Sequence, residues 1–211
     1  MKHLFPIAAT ATAAAAAAAA FVLAAPAIAA PQVGTQAPNF RLTDMNGQAV
    51  TLAQFRGKVV VLEWNNPGCP FVKKHYGSGN MQKTQAAAKR AGAVWLTINS
   101  SAAGKQGHMD GAGAKAFVAQ QKAQPTAYLL DHAGTVGKGY GALTTPHMYI
   151  VDKAGKLVYA GGIDDTPTPN PADVAGARNH VLAALSEVVA GKKVSVPASR
   201  PYGCSVKYKD S

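Results

Sequence analysis

The stretch Val59-Val60-Val61-Leu62-Glu63-Trp64-Asn65-Asn66-Pro67-Gly68-Cys69-Pro70-Phe71-Val72 constrains this chain more than any other. An apolar, β-branched run followed by turn residues predicts a buried strand, about residues 58 to 64, that ends in a tight loop. Pro70 suits the first position of a helix, where a missing N–H costs nothing. Cys69 is therefore expected at a helix N-terminus, whose free N–H groups and positive dipole end favour the reactive thiolate. Lys73 and Lys74, one turn on, are expected to push the same way. The plainer reading of a single cysteine here is a small buried hydrophobe.

The rest of the chain alternates between strand and helix signals around this element. Asn46-Gly47 between two short apolar runs predicts an N-terminal β-hairpin. The helix from Pro70 is interrupted at Gly77-Ser78-Gly79, and Asn80 is placed to cap a second segment running to about Ala91. A strand at about 93–98, a helix at 113–123, a strand at 126–130 and a short helix at 136–141 come next. Two strands, 148–151 and 156–160, are joined by the turn Asp152-Lys153-Ala154-Gly155. A last helix, about 171–190, carries Val174, Ala177, Val181, Leu185 and Val188 at helical spacing and stops at Gly191. Asp164-Asp165 reads as turn chemistry, and His108, His132 and His180 lack ligand spacing. The fold class is α/β, a sandwich with a mixed central sheet flanked by helices.

Residues 1–29 read as a secretory signal peptide: a basic start at Lys2, an Ala-rich apolar run, and Ala27-Ile28-Ala29 as cleavage site. That leaves one domain, 30–190, and a C-terminal tail, 191–211, carrying Cys204. The expected location is the periplasm, with secretion the other destination. Lys2 is the only charged residue of the leader, so all but one unit of the formal +11 belongs to residues 30–211. The basic residues are scattered without a dense tract, so no nucleic-acid partner and no stable membrane insertion are expected. Cys69 and Cys204 are the only cysteines and allow a single intramolecular pairing.

This order of elements resembles the thioredoxin-like superfamily in its redoxin branch, which takes in AhpC/TSA and TlpA-like proteins. The marks are Cys69-Pro70-Phe71-Val72, Thr145-Pro146-His147-Met148 ahead of a strand, and Tyr149-Ile150-Val151-Asp152, over about residues 35–190. The run from Cys69 to Tyr76, with Arg200-Pro201-Tyr202-Gly203-Cys204-Ser205-Val206-Lys207-Tyr208, is similar to a set of exported bacterial redoxin-domain proteins. The resemblance implies a thioredoxin-like sandwich, a cis peptide before Pro146, and a Thr145-Pro146 loop that faces the cysteine and binds substrate backbone. It also implies a buried acid at Glu63 that relays protons to the thiol; the alternative is a surface carboxylate paired with a lysine. Trp64, Asn66, Pro67, Gly68, Pro70, Thr145 and Pro146 are the residues expected to meet substrate. Trp64 also reads as packing under the turn, and Asn65 and Asn66 as residues that bond their own backbone. His75 and Tyr76 either line the site or lie on a solvated helix face.

Two departures from the family bear on activity. Val72 replaces the second cysteine of a Cys-x-x-Cys pair, and Asn66 and Leu62 replace the Thr or Ser and the Pro that peroxiredoxins carry before their reactive cysteine. Cys204 is the candidate for the missing partner, brought by a mobile tail as a resolving thiol or fixed as a static staple worth about 2 to 5 kcal/mol. The expected function is an exported thiol–disulfide oxidoreductase with Cys69 as nucleophile and Cys204 as resolver. It would act on exported protein thiols or disulfides with an external reductant and without metal or other cofactor. The alternatives are a thiol-dependent peroxidase acting on hydroperoxide, and a non-catalytic module holding copper through Cys69 and His147 or a static disulfide.

Overall fold

The computed structural model of the chain describes Met1 and residues 30–211, so the expected leader lies outside the described residues apart from Met1. A hairpin opens the fold: β1 (Arg41–Asp44) and β2 (Ala49–Thr51) pair antiparallel with Leu42 opposite Val50. Its turn is fixed by Asp44, whose carboxylate accepts from the backbone N–H of Asn46 and of Gln48, both at 2.8 Å. Then come β3 (Val60–Trp64), α1 (Pro70–Gly77), α2 (Asn80–Arg90), β4 (Val94–Asn99), α3 (Gly111–Gln120) and β5 (Ala127–Leu130). They are followed by α4 (Thr135–Tyr140), β6 (Thr144–Thr145), β7 (His147–Val151), β8 (Leu157–Gly161), α5 (His180–Val189) and β9 (Cys204–Ser205).

Seven strands form one mixed sheet in the order β2-β1-β5-β4-β3-β7-β8. β3, β4 and β5 run parallel, which requires crossovers that α1–α2 and α3 supply; the outer pairs are antiparallel. β3 is buried along its whole length, which is why its sequence reads as a continuous apolar run. Alternation still divides its side chains between two layers. Val61 packs with Trp95, Met148, Tyr76 and Cys69 on the face covered by α1, α2, α3 and α5. Val60, Leu62 and Trp64 pack with Leu96, Ile98 and Tyr149 on the other, under α4 and the hairpin. Leu62, Leu96 and Leu129 are wholly excluded from solvent, so cutting any one to alanine would cost about 2 to 5 kcal/mol.

Two expected helix boundaries move. Gly79 (φ +74°), in the left-handed conformation glycine adopts without strain, makes the cap of α2. Asn80 is instead the first helical residue, its side chain turned to His75 Nδ1 at 2.9 Å. The helix expected over 171–190 is a 3-10 turn at Pro171–Gly176 followed by α5, because Asn179 takes the cap position and accepts from Leu182 N at 2.9 Å. Val174 and Ala177 thus lie outside it, whereas Val181 and Leu185 are buried beneath it.

Residues from 191 onward, expected as a mobile tail, lie packed along the domain. Val194 and Val206 are buried, Ala198 bridges to Ala160, and Tyr208 donates to Ala142 O at 2.8 Å. β9 adds antiparallel to β6 with Thr144 opposite Ser205 and Thr145 opposite Cys204.

Candidate functional site

Cys69 is the N-cap residue of α1, with Pro70 at the first helical position as the sequence predicts. The loop before it is held by Asn66: its Oδ1 accepts from Gly68 N at 2.9 Å, and its Nδ2 donates to Gln106 O at 3.2 Å and Gln106 Oε1 at 3.0 Å. Across from the cysteine the Thr145–Pro146 peptide is cis, and Thr145 O stands 3.1 Å from Cys69 Sγ. Through the pairing of β6 with β9 the same threonine sets Cys204 in register, and the two sulfurs stand 2.6 Å apart with both cysteines free.

The two thiols are not equivalent. Burial pushes the Cys69 thiol up, but hydrogen bonding from Cys204, the Val72 N–H at the helix start and Thr145 together pull it below its ordinary value. Cys204 is pushed up to about 11, by burial first and then by the hydrogen bond to Cys69 and its charge. The two displacements are opposite in sign, Cys69 downward and Cys204 upward. The lowered thiol belongs to the fully buried cysteine and the raised one to the half-buried cysteine.

Neither Lys73 nor Lys74, expected to help lower the Cys69 pKa, is among the main causes of its shift. Lys73 is exposed, and the buried Lys74 extends along α1 to donate to Thr166 O at 2.7 Å, with Asp164 Oδ2 3.8 Å away. His75 is buried rather than solvated, and burial drives it down to about 4, against the pull of Asp164.

Glu63 is wholly buried on the Cys69 face of β3, as its parity with Val61 requires. Five side chains direct donors at it: Tyr76 OH at 2.9 Å, Trp95 Nε1 at 2.9 Å, Asn65 Nδ2 at 3.0 Å, Thr97 Oγ1 at 3.0 Å and Gln85 Nε2 at 3.5 Å. Burial raises its pKa against these donors. Its carboxyl reaches α1 through Tyr76, and Cys69 is not among its hydrogen-bond partners.

Three of the residues expected to meet substrate or metal are tied up inside the protein. Trp64, of opposite parity to Glu63, points into the other layer, wholly buried against Tyr140 and Tyr149 with its indole N–H on Ser100 Oγ at 3.0 Å. Asn66 has its amide nitrogen committed to Gln106, so its side chain has no free donor to offer a peroxide. His147, weighed as a copper ligand beside Cys69, faces Tyr149 OH at 3.1 Å and Leu143 N at 3.3 Å through Nδ1. Among the described residues no group of three or more His, Cys, Asp or Glu side chains is placed to hold a metal ion. Pro67 and Gly68 are half-buried, Pro70 is exposed, and Thr145 and Pro146 are buried under the tail strand.

Four residues at the site carried no expectation of a role there. Gln106 closes the Cys69 loop, and Gly203 lets β9 approach Thr145. Tyr202, two residues before Cys204, donates to Asp164 and lies edge-on to Phe71 with ring centroids 5.8 Å apart. Asp164, read as turn chemistry, does accept from Thr166 N at 3.0 Å but also takes that tyrosine proton. The available signal was the spacing of Tyr202 and Gly203 from the second cysteine.

Among known proteins, the thiol-disulfide oxidoreductase ResA of Bacillus thuringiensis is 27% identical over 135 residues, 60% of this chain and 68% of that one. Chloroplastic peroxiredoxin Q of Triticum aestivum is 30% identical over 137 residues, 60% of this chain and 57% of that one. In structure, a hypothetical protein of Sinorhizobium meliloti 1021 matches 87% of this chain and 98% of its own with a TM-score of 0.72 at 27% identity. A thiol:disulfide interchange protein of a Bacteroides species matches 62% of this chain and 81% of its own with a TM-score of 0.51 at 24% identity, a likeness of fold alone. The fold is the thioredoxin-like sandwich the sequence marks imply. Residues 33–160, more than half of the sequence, match the AhpC/TSA family, and the chain belongs to that family.

Proposed function

We propose that this protein is an exported thiol–disulfide oxidoreductase in which Cys69 attacks and Cys204 resolves. The observation that carries the reading is the 2.6 Å approach of two sulfurs whose proton affinities are displaced in opposite directions. The Cys69 thiolate attacks one sulfur of a substrate disulfide, forming a mixed disulfide and releasing the other sulfur as thiolate. Cys204 then attacks the Cys69 sulfur, its proton passing to the second leaving thiolate, and the Cys69–Cys204 disulfide forms. An external dithiol reductant reverses this and resets the pair. The groups needed are all on this chain, so the cycle calls on no metal or other cofactor.

The Thr145-Pro146 loop, with Pro67, Gly68 and Pro70 around it, is the surface on which a substrate strand docks, and Glu63 serves the thiol from beneath through Tyr76 and α1. Export is read from the leader pattern of residues 1–29, and no helix among the described residues is long and apolar enough to cross a membrane. The likeness to peroxiredoxin Q supports a second reading, peroxidase activity, in which the same thiolate attacks the terminal oxygen of a hydroperoxide, breaking the O–O bond to give a sulfenic acid and releasing the other oxygen as alcohol or water. The committed amide of Asn66 weighs against it.

The deciding experiment exposes the reduced protein and a Cys204→Ser variant to a small aryl disulfide and, separately, to hydrogen peroxide, with Cys69 followed by intact mass. A mixed disulfide trapped on the variant, and an internal disulfide in the parent, are the expected results. Rapid sulfenic acid on the variant with no reaction toward the disulfide would make the protein a peroxidase; inertness toward both overturns either enzyme.

A further inference from the structure

With the tail in place Cys69 has no exposed surface, so any substrate must first displace β9. On the Tyr202 side, ahead of Cys204, β9 is anchored by a polar cluster that touches neither sulfur. Tyr202 is seated against three side chains of α1: its ring meets Phe71, Lys74 Nζ lies 5.5 Å from the ring centroid, and its hydroxyl is 3.1 Å from His75 Nε2. The hydrogen bonds run in one direction. Asn80 Nδ2 donates to His75 Nδ1 at 2.9 Å, which leaves the ring proton on Nε2 to be donated to the Tyr202 oxygen. Tyr202 then spends its own proton on Asp164. The second oxygen of Asp164 has no hydrogen bond and lies 3.8 Å from Lys74 Nζ, an ion pair almost wholly out of solvent. Removing the tyrosine hydroxyl leaves His75 and Asp164 each short of a partner in a place water does not reach.

We propose that Tyr202, through Asp164 and His75, is the positioning residue of the redox pair: a latch that holds Cys204 on Cys69 and keeps other chains off the edge of β6. This rests on the reading that Cys69 and Cys204 exchange through a disulfide. Closed, the latch makes the tail the strand that pairs with Thr145. Open, it bares Cys69 and leaves the backbone of Thr144 and Thr145 free to take an extended strand from another polypeptide. The chain's own Gly203-Cys204-Ser205 shows the substrate form that fits there: an unfolded or flexible segment whose cysteine is flanked by small residues.

Glutathione disulfide separates the two steps. The Cys69 thiolate attacks one of its sulfurs, giving a Cys69–glutathione adduct and one glutathione thiolate. Cys204 then displaces the second glutathione, to which its proton goes, so the protein loses two electrons and glutathione disulfide gains them. Tyr202→Phe keeps the ring against Phe71 and Lys74 and deletes only the hydroxyl; Asp164→Asn removes the acceptor's charge. In wild type the adduct should pass to the internal disulfide without accumulating. In both variants the first step should hold its rate or quicken, while the second slows about 10-fold or more and the adduct builds up. Partition equal to wild type in both variants overturns the latch and leaves the redox pair standing. Loss of both steps together, which would make the hydroxyl a support of the fold, overturns it too. A wild-type protein that forms no internal disulfide under any oxidant overturns the latch and the proposed function at once.

Discussion

Gly203 passes so close to Thr145 that a Cβ built on the glycine would overlap the threonine carbonyl oxygen, and its φ of +137° is one that side-chain-bearing residues rarely adopt. The approach of tail to loop therefore depends on a missing side chain next to the second cysteine. Gly203→Ala should lift β9 from β6 and cost about 1 to 3 kcal/mol of strain. The measurement is hydrogen exchange at Val206 N, which donates to Leu143 O at 3.0 Å. Its protection should fall while that of β3 and β4 is kept; unchanged protection would show that the tail tolerates a Cβ there.

The lowered Cys69 pKa, which burial opposes, leans first on the hydrogen bond from Cys204. Cys204→Ala should move the Cys69 titration upward, toward that of an ordinary thiol, as followed by thiolate absorbance in the reduced protein. Because the folded value is depressed, reactivity toward an alkylating agent persists above it and fades as the pH falls through it, at a lower pH than for a free cysteine. A midpoint unmoved by the substitution would assign the shift to the helix start alone.

His75 and His147 are each driven to about 4, chiefly by burial, whereas the unfolded chain titrates near 6.5. As the pH drops below about 6.5 the unfolded state takes up protons that the folded state refuses, so stability falls between there and about 4, by up to about 3 kcal/mol for each ring. Lys74 opposes protonation of His75 and Asp164 favours it. Glu63, raised by burial, works the other way and softens the acid end of the loss. Thermal midpoints across this range should decline, and His75→Gln should flatten the decline by its share; a parallel curve would place His75 outside the titration.

Glu63→Gln keeps the shape but puts an amide N–H₂ among five donors. It should cost about 2 to 3 kcal/mol, read as a lower urea midpoint with the same slope. An unchanged midpoint at neutral pH would mean that the fold carries Glu63 as the neutral acid.

The features legible in the sequence were those written locally. Asn46-Gly47 marks the hairpin, the apolar run the central strand, Pro70 the helix start, and the glycines around Ser78 the break between α1 and α2. β-strand parity also separates Trp64 from Glu63, since adjacent strand residues face opposite layers; counting outward from Val61 assigns Trp64 to the layer away from Cys69. The seating of Tyr202, Cys204 and Val206 was not legible, because the docking partners of the tail lie scattered over α1, β6 and β8 and impose no period on it. The burial of Lys74, read as a charge beside the thiol, and of His75, read as lining the site or solvated, was hidden for the same reason: Asp164, Thr166 and Tyr202, which make it tolerable, lie far along the chain.

Cys69 and Cys204 are 135 positions apart in sequence, and their contact needs the central sheet, β6 and the tail strand already in place. Loop closure over such a span comes late in folding, after local helices and hairpins have formed. A nascent or partly unfolded molecule thus carries Cys69 without Cys204 beside it, and the two sulfurs meet only as a certificate that the domain has finished folding.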